Sequence, residues 1–273
     1  MRVGLFIPCY VDQLAPAVGE ATVAVLERAG CTVDYDPAQT CCGQPFWNLG
    51  LADEATRLAR AHLERFARHD AVVCPSASCV ATVRRHYGTL GVGNDAAGQR
   101  ARERTFELSE FLVRELGCVE LGARFPHKVA LLASCHGLRE LGLGRASETA
   151  GVANEPGPTE LLLRAVAGLE LLTPSRDECC GVGGAFSVEF PELSGRIGRD
   201  RLADLAATGA EFITATDTSC LLHLDGIRRR NHAGPRAIHL AEILASQGSP
   251  ASVDAQGGEN TVGPASEVEC RGR

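Results

Sequence analysis

The chain has 273 residues, 45% hydrophobic and 22% charged, with 27 Lys and Arg against 34 Asp and Glu for a net charge of −7. That is enough apolar material for one large or two modest domains, which excludes a wholly disordered chain; the scattered bases exclude a cationic face for nucleic acid or anionic lipid. No apolar run approaches a bilayer-spanning helix, and the opening run at 3–8 is too short for a secretory signal, so a soluble, cytoplasmic protein is expected.

In chain order, residues 3–7 read as a buried strand leading to Cys9, residues 17–28 as a helix stopped at Gly30, and 32–35 as a second strand leading to Cys41-Cys42-Gly43. Residues 54–68 are again helical in period, and 71–73 form a strand that runs into a loop, Cys74-Pro75-Ser76-Ala77-Ser78-Cys79. After a helix-like segment, residues 88–100, rich in Gly, Asn and Ala, read as loop and 108–112 as a closing helix.

About 125 residues on, the same order returns. A strand at 129–133 leads to Cys135, a helix at 160–167 stops at Gly168, and a strand at 169–173 leads to Cys179-Cys180-Gly181. A helix at 193–207 and a strand at 212–215 precede a second cysteine loop, Asp217-Thr218-Ser219-Cys220, and 240–244 repeats the closing helix. Each closing helix is expected to pack on its own half's sheet. Strands alternating with helices imply parallel βαβ units, hence an α/β protein of two pseudo-repeated three-layer domains with mainly parallel sheets. The expected division is 1–120, 121–247 and a disordered tail at 248–273, which lacks apolar periodicity.

Twelve cysteines in a reducing compartment point to metal binding or redox chemistry, because stable disulfides are rare there. In an open parallel sheet, ligand groups gather beyond the carboxyl ends of strands. The repeat places Cys9, Cys41, Cys42 and Cys79 there in the first half and Cys135, Cys179, Cys180 and Cys220 in the second, with Cys74 a possible extra. Four thiolates suit a soft centre, iron–sulfur or zinc, and suit magnesium or calcium poorly. Adjacent cysteines point apart and more naturally reach two atoms of a cluster than one tetrahedral ion, which favours iron–sulfur; zinc, whose usual ligands come from Cys-x-x-Cys knuckles, stays open. Gly43 and Gly181, lacking Cβ, can take positive φ and aim an amide at sulfur.

Four segments carry a resemblance: Cys41-Cys42-Gly43-Gln44-Pro45; Ser134-Cys135-His136-Gly137-Leu138-Arg139-Glu140-Leu141-Gly142; Glu178-Cys179-Cys180-Gly181-Val182-Gly183-Gly184-Ala185-Phe186-Ser187; and Asp217-Thr218-Ser219-Cys220-Leu221-Leu222-His223-Leu224. Over roughly residues 1–246 the chain resembles the cysteine-rich proteins with two Cys-Cys-Gly domains, a family that includes a heterodisulfide reductase subunit and iron–sulfur subunits of glycolate and lactate oxidation systems. The resemblance implies an electron-carrying component in the oxidation of L-lactate to pyruvate, acting with a ferredoxin-type iron–sulfur subunit and a third small subunit. The fuller pattern ends each domain in Cys-x-x-Cys; here Ser76 and Asp217 stand where the first cysteine of that pair is expected. Four apparent ligands per half therefore point to ordinary [4Fe-4S] clusters, one per half, with no complete active site in this chain. A thiol or disulfide oxidoreductase and a zinc-stabilised scaffold are the competing functions.

Of the remaining cysteines, Cys31 and Cys118 read as buried and inert, and Cys270 as a free thiol in the tail. His136 and His223 adjoin the second motif and read as structural, with hydrogen bonding to sulfur as the functional alternative. Arg139 and Glu140 read as a solvated helix face, and Phe46 and Trp47 as packing that keeps water from the site.

Overall fold

The computed structural model describes residues 1–144, 155–247 and 270. In the first half, strands β1 (Arg2–Leu5), β2 (Thr32–Tyr35), β3 (Val72–Cys74) and β4 (Thr105–Glu107) form a sheet in the order β2-β1-β3-β4. Every pairing is parallel, with Val3 opposite Val33, Leu5 opposite Val73 and Cys74 opposite Glu107. The second half repeats it: β5 (Lys128–Leu131), β6 (Glu170–Leu172), β7 (Phe212–Ala215) and β8 (Arg236–His239), in the order β6-β5-β7-β8, again all parallel. The apolar runs at Val3, Leu5, Val72 and Val73 are buried because helices cover the sheet. Sequence periodicity missed the short fourth strands, β4 and β8. Each runs directly into its closing helix, with no loop residue between them to mark its end.

The first-half helices are α1 (Cys9–Leu14), α2 (Pro16–Arg28), α3 (Gln44–Asn48), α4 (Ala52–Phe66), α5 (Ala77–Ala81), α6 (Ala96–Glu103) and α7 (Leu108–Glu110). Wider π turns at Thr82–His86 and Phe111–Glu115 extend α5 and α7. The second half has α8 (Cys135–Arg139), α9 (Pro158–Arg164), α10 (Phe186–Glu189), α11 (Pro191–Ala207), α12 (Thr218–Asn231) and α13 (Leu240–Ala245). The stretch 88–100, expected as loop, ends in α6. Asp95 caps that helix by accepting a 2.7 Å bond from the Gly98 amide, and Gly98 has no room for a side chain because the Gly93 backbone lies against it.

The closing helices also reach beyond their own halves. α13 packs against α2 of the first half, and α7 against α9 of the second. Leu108, Phe111 and Leu112 therefore share one continuous core with Leu162 and Leu163, as Leu240, Ile243 and Leu244 do with Val18, Val25 and Leu26. The crossing is secured by buried Arg28, whose guanidinium donates to the carbonyls of Leu121 at 3.3 Å, Leu244 at 2.9 Å and Ala245 at 3.1 Å. The last two are carbonyls at the C-terminus of α13, which the helix itself cannot satisfy.

Cys270 is not a free thiol, nor is Cys118 inert: the two form a disulfide with Cα atoms 4.8 Å apart, and Cys270 packs on the shared core. A pairing across 152 residues leaves no local signature in sequence. The rest of the expected tail, 248–269 and 271–273, lies outside the described residues. Among the described residues no helix is long and apolar enough to cross a membrane.

Candidate functional site

In each sheet the strand order reverses beside the first strand, which opens a crevice beyond the carboxyl ends of β1 and β3, and of β5 and β7. Cys9 opens α1 just after β1, and Cys135 opens α8 just after β5. Cys79 and Cys220, expected in loops, lie in the first turns of α5 and α12. A side-chain cap explains the first: Ser76 accepts from the Cys79 amide at 3.3 Å. Ser134 caps α8 likewise, accepting from Gly137. The pairs Cys41-Cys42 and Cys179-Cys180 arrive on the connections that follow β2 and β6.

All eight cysteines of the two predicted quartets line a single cavity of about 100 Å³ between the halves, shared with Gln44, Ser76, Ser78, His136, Asp217 and Thr218. Cys9 Sγ lies 3.7 Å from Cys41 Sγ, and Cys180 Sγ lies 2.9 Å from Cys220 Sγ. Cys42, Cys79, Cys180 and Cys220 are buried, whereas Cys179 is exposed. The two halves also agree electrostatically. Hydrogen bonds from Cys42 and Cys9, with the Gly43 amide, hold the Cys41 thiol down to about 3; bonds from Cys135 and Cys180, with the Gly181 amide, hold Cys179 down to about 2. The other partner in each case is pushed up, Cys9 first by its bond to Cys41 and Cys135 first by its bond to Cys179. Each half thus presents one thiolate braced by neighbouring thiols.

Gly43 and Gly181 take φ of +89° and +90°, and their amides donate to the sulfurs two residues back at 3.4 and 3.3 Å. Both are left-handed conformations that a Cβ disfavours. Cys74 is fully buried behind Cys79, with which it hydrogen-bonds, and does not line the cavity. Cys31 lies in the shared core. His223 faces the Ser194 carbonyl at 3.4 Å, outside the cavity wall. Trp47 stacks on His86 with ring centroids 5.4 Å apart, and neither it nor Phe46 reaches the cavity.

Two polar features stand beside the cysteines: the first is the hydrogen bond to sulfur that was the alternative reading of His136, and the second escaped sequence reasoning. His136 Nδ1 lies 3.7 Å from Cys135 Sγ, while its Nε2 lies 3.0 Å from Gln44 Nε2 and 3.6 Å from Glu140 Oε1; Glu140 in turn meets His86 at 3.2 Å. Glu140 is therefore no mere solvated face. The second is buried Asp217, whose carboxylate accepts from the hydroxyls of Ser76, Ser78 and Ser134. The only sequence signal for it was the departure from Cys at positions 76 and 217.

The donor set fits an iron–sulfur group by its chemistry. Eight soft sulfur ligands line one mainly apolar cavity, and the Thr218 hydroxyl on its wall is buried without a hydrogen-bond partner among the described residues, available to an acceptor such as sulfide. No three His, Cys, Asp or Glu side chains among the described residues converge as a ready site for one metal ion. Two sulfurs at 2.9 Å repel once both ionise, so four thiolates per half call for a cationic centre and for the loops to part around it.

Two equivalent α/β halves, each feeding a Cys-Cys-Gly turn and two further cysteines into a strand-end crevice, define a duplicated cysteine-rich-domain protein. The model of that family, described as a cysteine-rich domain, matches residues 3–84 and 129–225. The chain belongs to the lactate utilization protein A family within it. It is 38% identical over 252 residues to "Lactate utilization protein A" of Macrococcus caseolyticus, covering 90% of this chain and 97% of that protein. It is also 38% identical over 251 residues to the protein of that name from Bacillus velezensis, and 36% identical over 251 residues to that from Bacillus subtilis, covering 90% of this chain and 100% of each.

Proposed function

We propose that this chain is the iron–sulfur electron-transfer component of an L-lactate oxidation system. Cys9, Cys41, Cys42 and Cys79 hold one [4Fe-4S] cluster, Cys135, Cys179, Cys180 and Cys220 hold another, and Gly43 and Gly181 donate amide hydrogen bonds to ligand sulfur. The observation that carries this reading is the convergence of all eight cysteines, from six separate segments, on one cavity. The names of the relatives support the lactate context. When bound, such clusters accept and release single electrons; the chain's own residues provide thiolate ligands, exclude water and direct amides at sulfur. Lactate dehydrogenation itself belongs to partner subunits, a ferredoxin-type iron–sulfur protein and a third small subunit.

Iron and acid-labile sulfide analysis with electron paramagnetic resonance on anaerobically purified protein tests this directly. Replacing Cys41 or Cys180 by Ser should remove one cluster's worth of iron, and replacing Cys31 should remove none. Stoichiometric zinc without sulfide would refute the cluster reading. A strain lacking the gene should fail to grow on lactate.

A second reading, thiol–disulfide chemistry like that of heterodisulfide reductase, is favoured by one observation, the 2.9 Å approach of the Cys180 and Cys220 sulfurs. It predicts a reversible Cys180–Cys220 disulfide in protein free of iron, detectable by thiol labelling and mass spectrometry.

A further inference from the structure

Asp217 occupies the N-cap position of α12, where an aspartate normally accepts from the amides of its own helix, a bond typically contributing about 1 kcal/mol. Its side chain makes no such bond. Instead the carboxylate crosses to the other half. Oδ1 accepts from the Ser76 hydroxyl at 2.8 Å, the Ser78 hydroxyl at 2.7 Å and the Ser78 amide at 3.0 Å, and Oδ2 accepts from the Ser134 hydroxyl. Four donors, and among the described residues no ion-paired cation, surround a side chain that is 2% exposed. A carboxylate acts only as an acceptor when ionised, and this shell supplies donors to both oxygens. Ser76 and Asp217 are also equivalent positions of the two halves, each three residues before the last cysteine of its quartet, and they are bonded directly to each other.

We infer that Asp217 is a positioning residue that holds a fixed negative charge between the two sulfur sites and thereby keeps both at low reduction potential. The inference rests on the cluster reading above. Reduction adds an electron to each site, and a buried anion in a low-dielectric junction opposes that addition more strongly than it would in water. The same carboxylate ties the segment carrying Cys79 to those carrying Cys135 and Cys220, so the charge lies at a fixed place relative to both quartets. Its serine donors are neutral, and they anchor the charge without cancelling it.

The experiment is a potentiometric titration, followed by electron paramagnetic resonance, of anaerobically purified full-length wild type, Asp217→Asn and Ser78→Ala, with iron and sulfide measured on each. Asn matches Asp in shape and can still accept from Ser76 and Ser78, so Asp217→Asn should load normally, and both cluster signals should titrate at higher potential than in wild type. Ser78→Ala leaves the charge and removes one hydroxyl donor; both signals should move the opposite way, and this variant decides the matter if Asp217→Asn does not fold. A loaded Asp217→Asn with unchanged potentials, or with only one signal displaced, overturns the inference. So does a Ser78→Ala protein whose potentials stay fixed or rise. Wild-type protein without iron and sulfide would instead refute the cluster reading itself, and the content assay separates that failure from the others.

Discussion

Gly43 and Gly181 offer a controlled comparison, because they share a conformation and differ in the room around them. At each, alanine must adopt φ near +90°, which costs an L-residue about 1–2 kcal/mol. At Gly43 that is nearly the whole cost, since an added Cβ would meet the Ala55 carbonyl oxygen at 3.4 Å, an ordinary contact. At Gly181 the Cβ would meet the Ser194 carbonyl oxygen at 2.7 Å, Ile197 Cβ at 3.0 Å and the Gly198 nitrogen at 3.1 Å. These belong to α11 and cannot swing aside, so overpacking adds about 1–3 kcal/mol. Gly181→Ala should therefore destabilise by about 2–5 kcal/mol and Gly43→Ala by about 1–2. At roughly 2–4 °C per kcal/mol for a chain of this size, the two melting temperatures should be clearly resolved. Thermal unfolding by circular dichroism measures the difference. Equal shifts for the two variants, or the larger one at Gly43, would refute the account of the turns as pressed between cysteine loop and helix.

Three further outcomes are expected. Burial holds His62 down to about 3 and His239 down to about 4, so acid must charge them on unfolding, and stability falls by about 1.4 kcal/mol per histidine per pH unit as pH drops below about 6.5. Glu107, raised by burial to about 7, binds its proton earlier in the folded state and offsets one of these two between about pH 6.5 and 4.5, while the depressed Cys41 and Cys179 act in the histidines' direction. Urea unfolding at pH 6.5 and 5 should show a loss of at least about 2 kcal/mol, and a gain on acidification would contradict the burial argument. Arg28→Leu strands three buried carbonyls and should cost about 2–4 kcal/mol, read as a lower urea midpoint; a change under about 1 would show that α2 and α13 hold together without the guanidinium. Denatured, metal-stripped protein should react at 10 thiols before reduction and 12 after it, given the Cys118–Cys270 bond. Twelve before reduction would remove that bond.

Local chemistry was legible in the amino-acid order. Short apolar runs marked β1, β2, β3, β5, β6 and β7, apolar spacing marked α2, α4 and α11, and the doubled Cys-Cys-Gly marked both quartets, because each of these signals is complete within a few residues. Tertiary structure alone decided which apolar face met which. The leucines at 108, 112, 240 and 244 announce a buried stripe, yet a stripe is non-directional and says nothing of its partner, so the crossing of α7 and α13 to the opposite halves was not readable. The merging of two quartets on one cavity rests on further contacts of this kind, those of α5 with α8 and of α1 with α12. Asp217 shows the same limit at atomic scale: a residue poised to cap its own helix spends its acceptors on serines 83 to 141 positions away. Only the folded chain brings those hydroxyls within reach of it.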